Sequence, residues 1–160
     1  MVQFDEHGHL FPHKIIAITV SEFETVFVNG VGDINHRKEL FDRYLKFVED
    51  LKSAFESPFT QWIDGSFITT KEQPGDIDVV TFLPYDTLTN KANAVHRFRE
   101  SAKIMYFVDA AFCPLCKWNH RFYEKSKEME AYWLNLYSHS RLDINKKRHP
   151  KGLIKIDFLP

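Results

Sequence analysis

Between Trp62 and Leu83 the chain reads WIDGSFITTKEQPGDIDVVTFL, and this stretch constrains the rest. An apolar, strand-like run meets Gly65-Ser66, a polar segment follows, and Asp76-Ile77-Asp78 heads a second apolar run. In a β-strand, residues two apart point to the same face, so Asp76 and Asp78 share one side of a sheet. Two carboxylates so placed repel each other unless a cation lies between them, and a divalent metal is the usual partner for hard oxygen ligands. The same residues also suit a plainer arrangement, in which Asp76 caps a turn after Pro74-Gly75 and Asp78 is simply exposed.

The rest of the chain must supply a scaffold for that stretch. Its 160 residues, 44% hydrophobic and 27% charged, predict one soluble globular domain with a single substantial core. Residues 1–32 read as an N-terminal extension with a short strand and helix, and 33–160 as the core. A net charge of −1 and a pI near 6.7 argue against coating nucleic acid by charge alone. No apolar run is long enough to predict a membrane span, and the polar, acidic MVQFDEHGHL does not read as a signal peptide. Two cysteines make no disulfide framework, so a reducing cytoplasm is expected. With 15 Phe, 6 Tyr and 3 Trp, an exposed apolar patch and self-association are plausible consequences.

Residues 1–14 read as a loop in which His7, His9 and His13 form a terminal cluster, an arrangement more often without a ligand role. Ile15 to Val20 is apolar and β-branched. Ser21-Glu-Phe-Glu24 predicts a capping box and a short helix after Ser21, turning Phe23, Phe27 and Val28 inward. Asp33 or Asn35 then caps a helix over Arg37–Phe55. Its buried stripe is Leu40, Phe41, Tyr44, Leu45, Val48, Leu51 and Phe55, with Glu39–Arg43 and Asp42–Lys46 pairs outside. Ser57-Pro58 ends it.

Phe59–Ile63 and Asp76–Leu83 are predicted strands. Thr89 or Asn90 starts a helix over Lys91–Ala102, and Ile104–Ala111 is a third strand. Asp109 sits inside that strand, where burial without a partner is costly. Cys113-Pro-Leu-Cys116 suits half of a zinc site, a redox pair, or two partly buried thiols; no second CxxC exists. Trp118 to about Ser138 is a helix whose aromatic side is expected to be core. Arg141–Lys151 is the most basic stretch, from which Lys147, Arg148 or Lys151 can reach a phosphate. Leu153–Leu159 is a closing strand with Ile154, Ile156 and Phe158 on one face.

Three pieces then form an ordered set: Gly65-Ser66, nine residues, Asp76-Ile77-Asp78, and an isolated Asp109 one helix later on the next strand. This set resembles the nucleotidyltransferase superfamily of DNA polymerase β, with a gap at the short end as in its minimal members. HLFPHKIIAITVSEFETVF, DGSFITTKEQPGDIDVV and HPKGLIKI further resemble a poorly characterised bacterial branch of small stand-alone proteins. That branch usually carries a glycine in the first segment, which is absent here; Lys14 follows His13. The match is loosest over Ala111–Ser140.

The resemblance implies an α+β fold, a mixed sheet of about four to five strands flanked by helices. It implies that Asp76, Asp78 and Asp109 are catalytic and bind two Mg²⁺ or Mn²⁺ ions, Asp109 also taking the acceptor proton. It implies that Gly65 and Ser66 cradle the β- and γ-phosphates of an NTP such as ATP, with Lys71 and Lys151 neutralising charge. The reaction is then NMP transfer to a hydroxyl of a protein, a tRNA end or a small molecule, releasing pyrophosphate. The competing expectation is an antitoxin-type interaction protein that keeps the fold and acts through a protein partner or a second copy of itself. A site at Cys113/Cys116 is a third.

Overall fold

The structure, a computed structural model, describes residues 2–160. The N-terminus is an antiparallel hairpin of β1 (Gln3–Phe4) and β2 (Leu10–Phe11), where a loop was expected. Asp5 closes its turn. One carboxylate oxygen accepts the backbone N–H groups of His7 and His9, each at 2.9 Å, and the other meets His13 Nε2 at 3.0 Å.

After β3 (Ile15–Ala17) comes α1 (Val20–Phe27). Its capping box is Thr19 with Glu22, one frame earlier than Ser21 with Glu24. Thr19 Oγ1 accepts the Glu22 N–H, and the Glu22 carboxylate accepts the Thr19 N–H at 2.7 Å. Both frames satisfy the S/T-x-x-E pattern; the helix takes the one that continues directly from the strand. Phe23, Phe27 and Val28 are buried as expected.

Asp33 caps α2 (Ile34–Phe55), its side chain accepting the His36 N–H at 3.1 Å. The expected stripe is buried except for half-buried Leu45, and Phe47 and Arg37 join it. Glu39–Arg43 forms at 3.5 Å, but Asp42–Lys46 does not. Asp42 pairs instead with Lys38, and Lys46 with Asp50 at 2.9 Å, because each has a partner of opposite charge on the turn above and the turn below. Glu56, in the left-handed region, ends the helix.

β4 (Phe59–Asp64) leads through a single 3₁₀ turn at Ser66–Ile68 to β5 (Ile77–Pro84). Then come α3 (Tyr85–Asn90), α4 (Ala92–Tyr106), β6 (Val108–Leu115), α5 (Tyr123–Tyr137) and β7 (Leu153–Phe158). Thr89 and Asn90 therefore end a helix instead of starting one. Ile104 to Tyr106, read as strand, finish α4, with Ile104 81% exposed on its outer side. A short apolar run cannot be assigned to strand or helix by composition, and the left-handed Phe107 makes the break. α5 starts five residues after Trp118, which is 82% exposed, and buries only Ser126 and Tyr137 fully.

Five strands form one mixed sheet in the order β3-β7-β4-β5-β6. The outer pairs, β3–β7 and β5–β6, are parallel, and β7–β4 and β4–β5 are antiparallel. With helices against it, this is the α+β architecture expected. One face, carrying Ile63, Ile77, Val79, Val108, Ile154 and Ile156, packs on α1, α2 and α4 in the main core. The other carries Trp62, Val80, Phe82, Cys113 and Leu153 and packs on Tyr137, with Met129 and Trp133 beside it. Both faces of β4 and β5 are thus covered, which is why those strands read as nearly continuous apolar runs. α5 covers only part of the second face, and the remainder is open. No helix is long and apolar enough to cross a membrane among the described residues.

Candidate functional site

The open part of that second face holds a row of carboxylates. Asp64 is the cross-strand partner of Asp78, and Asp78 is the partner of Asp109. Directly paired residues share a face, so three acids stand side by side on three adjacent strands. Asp76, just before β5, joins them at the same cavity, as the two-residue spacing predicts.

Asp64 was not among the expected acids. It ends an apolar strand immediately before Gly65-Ser66, and that adjacency is its only sequence signal; its place in the row depends on how β4 registers against β5. Asp109 is at the edge of the row and its side chain is 59% exposed, not buried as its apolar neighbours imply. The register turns Val108 into the core and Asp109 to the open face.

The row is electrostatically strained. Burial pushes the Asp78 carboxyl up to about 6, and the charges of Asp76, Asp64 and Asp109 push in the same direction. Burial also raises Asp64, although Lys151 Nζ donates to its carboxylate at 2.5 Å and the Gly65 N–H donates to it as well. At the outer end, Lys103 Nζ lies 3.3 Å from Asp76 Oδ2 and 3.8 Å from Asp109 Oδ2. Among the described residues no three His, Cys, Asp or Glu side chains are gathered closely enough to enclose a metal ion. The donor set is nonetheless the hard-oxygen kind a divalent cation takes, and Lys103 already places one positive charge between two of its members.

Gly65 fits against this row on two counts. Its φ of +78° is open mainly to glycine, and a Cβ there would collide with Asp78 Oδ2. The backbone can therefore pass directly over the carboxylate and present Ser66 to the same cavity.

The segment from Ser66 to Asp76 is held by the start of α2. The buried Arg37 guanidinium donates from Nη1 to the carbonyls of Phe27 at 2.8 Å and Phe67 at 2.7 Å. From Nη2 it donates to those of Thr69 at 2.9 Å and Lys71 at 2.5 Å. Asp33 accepts from Gln73 Nε2 at 3.0 Å, and His36 Nε2 meets the Pro74 carbonyl at 2.6 Å. Helical periodicity gives no sign of Arg37's role, because an arginine in a first turn looks solvated.

The cavity has a volume of about 810 Å³, within the range of small-molecule sites. Its floor is the acid row. Every expected site residue lines it: Gly65, Ser66, Lys71, Asp76, Asp78, Asp109 and Lys151. Lys151 is almost buried, and its charge is committed to Asp64. Arg148 also lines the cavity, as does Arg141, while Lys147 does not. His7 and His9, expected to have no role, line the wall beside them, whereas His13 stays with Asp5.

Cys113 is buried, its thiol pushed up to about 12 by that burial, and Cys116 is half-buried. His120 stacks on Tyr85 with ring centroids 4.7 Å apart. Cys116 is partly buried as expected, whereas Cys113 is fully buried.

No curated protein and no solved structure matches the chain. The profile of one family matches residues 2–157, nearly the whole sequence, and on that ground the chain belongs to the family of unknown function DUF6932.

Proposed function

We propose that the protein is a metal-dependent nucleotidyltransferase, moving a nucleoside monophosphate from an NTP to a hydroxyl of a protein, a tRNA end or a small molecule. The observation that carries this reading is the Gly65-Ser66 turn lying over an in-register row of carboxylates, within one cavity whose other wall is basic. The resemblance to minimal members of the polymerase β superfamily rests on the same residues.

Asp76, Asp78 and Asp109 would hold two Mg²⁺ or Mn²⁺ ions. When bound, such ions neutralise the triphosphate and acidify the attacking hydroxyl. Ser66 offers its hydroxyl and backbone N–H to the β/γ-phosphates. Asp109, the most exposed of the acids, is placed to accept the acceptor proton. Lys151 keeps Asp64 paired, so one carboxylate of the row is neutralised by the chain itself. Lys71 adds an exposed positive charge at the cavity wall.

One observation favours the interaction-protein reading: Lys103 supplies a cation of the chain's own between two of the acids. The two readings part in one experiment. Wild-type protein incubated with cell extract, Mg²⁺ or Mn²⁺ and an NTP labelled at the α-phosphate is expected to label an acceptor or itself. Labelling that survives Asp76→Ala with Asp78→Ala would sink the catalytic assignment. A stoichiometric partner recovered equally by wild type and that double variant, with no labelling in either, supports the alternative.

A further inference from the structure

The histidines of the N-terminal hairpin are left unused by the proposed chemistry, yet the fold brings them to the cavity. The Gly8 carbonyl accepts the Thr70 N–H at 3.1 Å, which docks the hairpin turn on the segment that follows Ser66. From the other side comes the 139–151 loop. Asp143 shapes it by accepting the N–H groups of Asn145 and Lys147 and by pairing with His149 Nε2 at 2.8 Å. The His149 ring, so fixed, lies against His7 with centroids 4.1 Å apart, tilted at 37°. His9 lies 5.9 Å from His7 and 6.4 Å from His149. Arg148 and Arg141 reach the cavity from the same loop, and Lys71 from the docked segment.

This wall therefore crowds His7, His9 and His149 with three permanent cations, and His139 of the same loop also lines the cavity. His9 Nδ1 is buried and has no hydrogen-bond partner. Burial holds His9 below the usual imidazole range, with Lys151, His7 and His149 adding to the effect and Asp5 opposing it. Each imidazole has one carboxylate of its own nearby, and the acid row forms the floor of the same cavity. Asp5 faces His9, Glu6 lies 3.6 Å from His7 Nε2, and Asp143 holds His149. An anion of high charge density placed against the wall supplies what is missing, a partner for the imidazole N–H groups.

We propose that His7, His9 and Arg148, supported by Arg141, Lys71 and the adjoining His149, form a proton-operated subsite for phosphoryl groups that binds without metal. It rests on the reading of the cavity as a phosphate-ester site and adds its pH control. Because binding draws protons onto the imidazoles, affinity rises as pH falls through the histidine range, opposite to the metal-binding carboxylates, which need deprotonation.

The test is calorimetric titration of the whole chain with inorganic tripolyphosphate in EDTA, in two buffers of different ionisation enthalpy. From about pH 8 to about pH 6, wild type is expected to bind about tenfold more tightly and to take up protons on binding. His7→Gln with His9→Gln, both partly exposed positions, is expected to weaken binding and flatten its pH response; Arg148→Gln weakens it while keeping that response. Asp76→Ala with Asp78→Ala keeps or strengthens it. Absence of metal-free binding by wild type, or an unchanged pH response in the histidine variant, overturns the proposal. Intact tripolyphosphate binding beside absent nucleotidyl transfer would reject the enzymatic reading alone, so the two failures are distinguishable.

Discussion

Asp78→Asn is expected to lower nucleotidyl transfer by about a thousandfold or more, while making the metal-free fold more stable. The two effects have one cause. Asp78 stands in the middle of the row, between Asp64 and Asp109 and just beyond Asp76, and its carboxyl sits near 6 instead of the ordinary 3.8. The folded state thus holds this proton more tightly than the unfolded chain does. Below about pH 4 the group is protonated in both states and contributes no penalty. As pH rises to about 6 the folded state is forced to lose a proton it prefers to keep, and stability falls by about 3 kcal/mol before levelling off. Asparagine does not titrate, so the variant lacks that decline. Urea unfolding in EDTA from about pH 4.5 to 7.5 is the measurement. The difference between the two proteins is expected to be about 1 kcal/mol at the acid end and about 3 kcal/mol at the neutral end, favouring the variant throughout. Asp64, also raised by burial, contributes a decline of the same sign to both proteins. Equal pH profiles for the two proteins would mean that Asp78 carries no such strain. The carboxylate is costly to the fold, and metal coordination is the benefit the account assigns to it.

The second large effect concerns a residue outside the acid row. Arg37→Met is expected to destabilise the protein by about 3–5 kcal/mol, a large share of the stability of an ordinary domain. Methionine keeps the apolar stem but supplies no donor. The carbonyls of Phe27, Phe67, Thr69 and Lys71 then lose their partner together. Arg37→Lys is expected to rescue little, since a single ammonium cannot reproduce the planar fork that serves four acceptors. The loss is local before it is global: amide exchange at residues 67–72 should become fast under native conditions, while the centres of β5 and α2 stay protected. Wild-type stability in Arg37→Met, with an ordered 67–72 segment, would show that the four carbonyls find other partners.

These two residues mark what was and was not legible in the sequence. Helical periodicity made α2 readable to its last residue, short only of its first turn, because one side of it is buried throughout. Asp76-Ile77-Asp78 and Gly65-Ser66 were readable because their chemistry is local: a two-residue spacing puts carboxylates on one face, and a glycine before a serine marks a tight turn. β7 was readable from its alternation. Asp64 was hidden because its neighbours in the row are decided by strand register, a long-range property. Arg37 was hidden because its four acceptors are backbone groups, which leave no trace in side-chain identity. The exposed α5 face misled because its aromatic spacing resembles that of a core helix, and only the sheet beside it shows that it covers half a face. His7 and His9 escaped for the same reason as Asp64: the 139–151 loop that completes their cluster lies more than a hundred residues away.

The central claim is that the acid row and the Gly65-Ser66 turn together bind an NTP through a divalent metal. The most direct measurement is the thermal unfolding midpoint of wild type and of Asp76→Ala with Asp78→Ala, each with a panel of NTPs, with and without Mg²⁺. Ligand that binds only the native state raises the midpoint by mass action. The account requires at least one NTP to raise the wild-type midpoint more with Mg²⁺ than without it, and this Mg²⁺-dependent increment to vanish in the double variant. No shift with any NTP in the presence of Mg²⁺, or the same increment in both proteins, would contradict it.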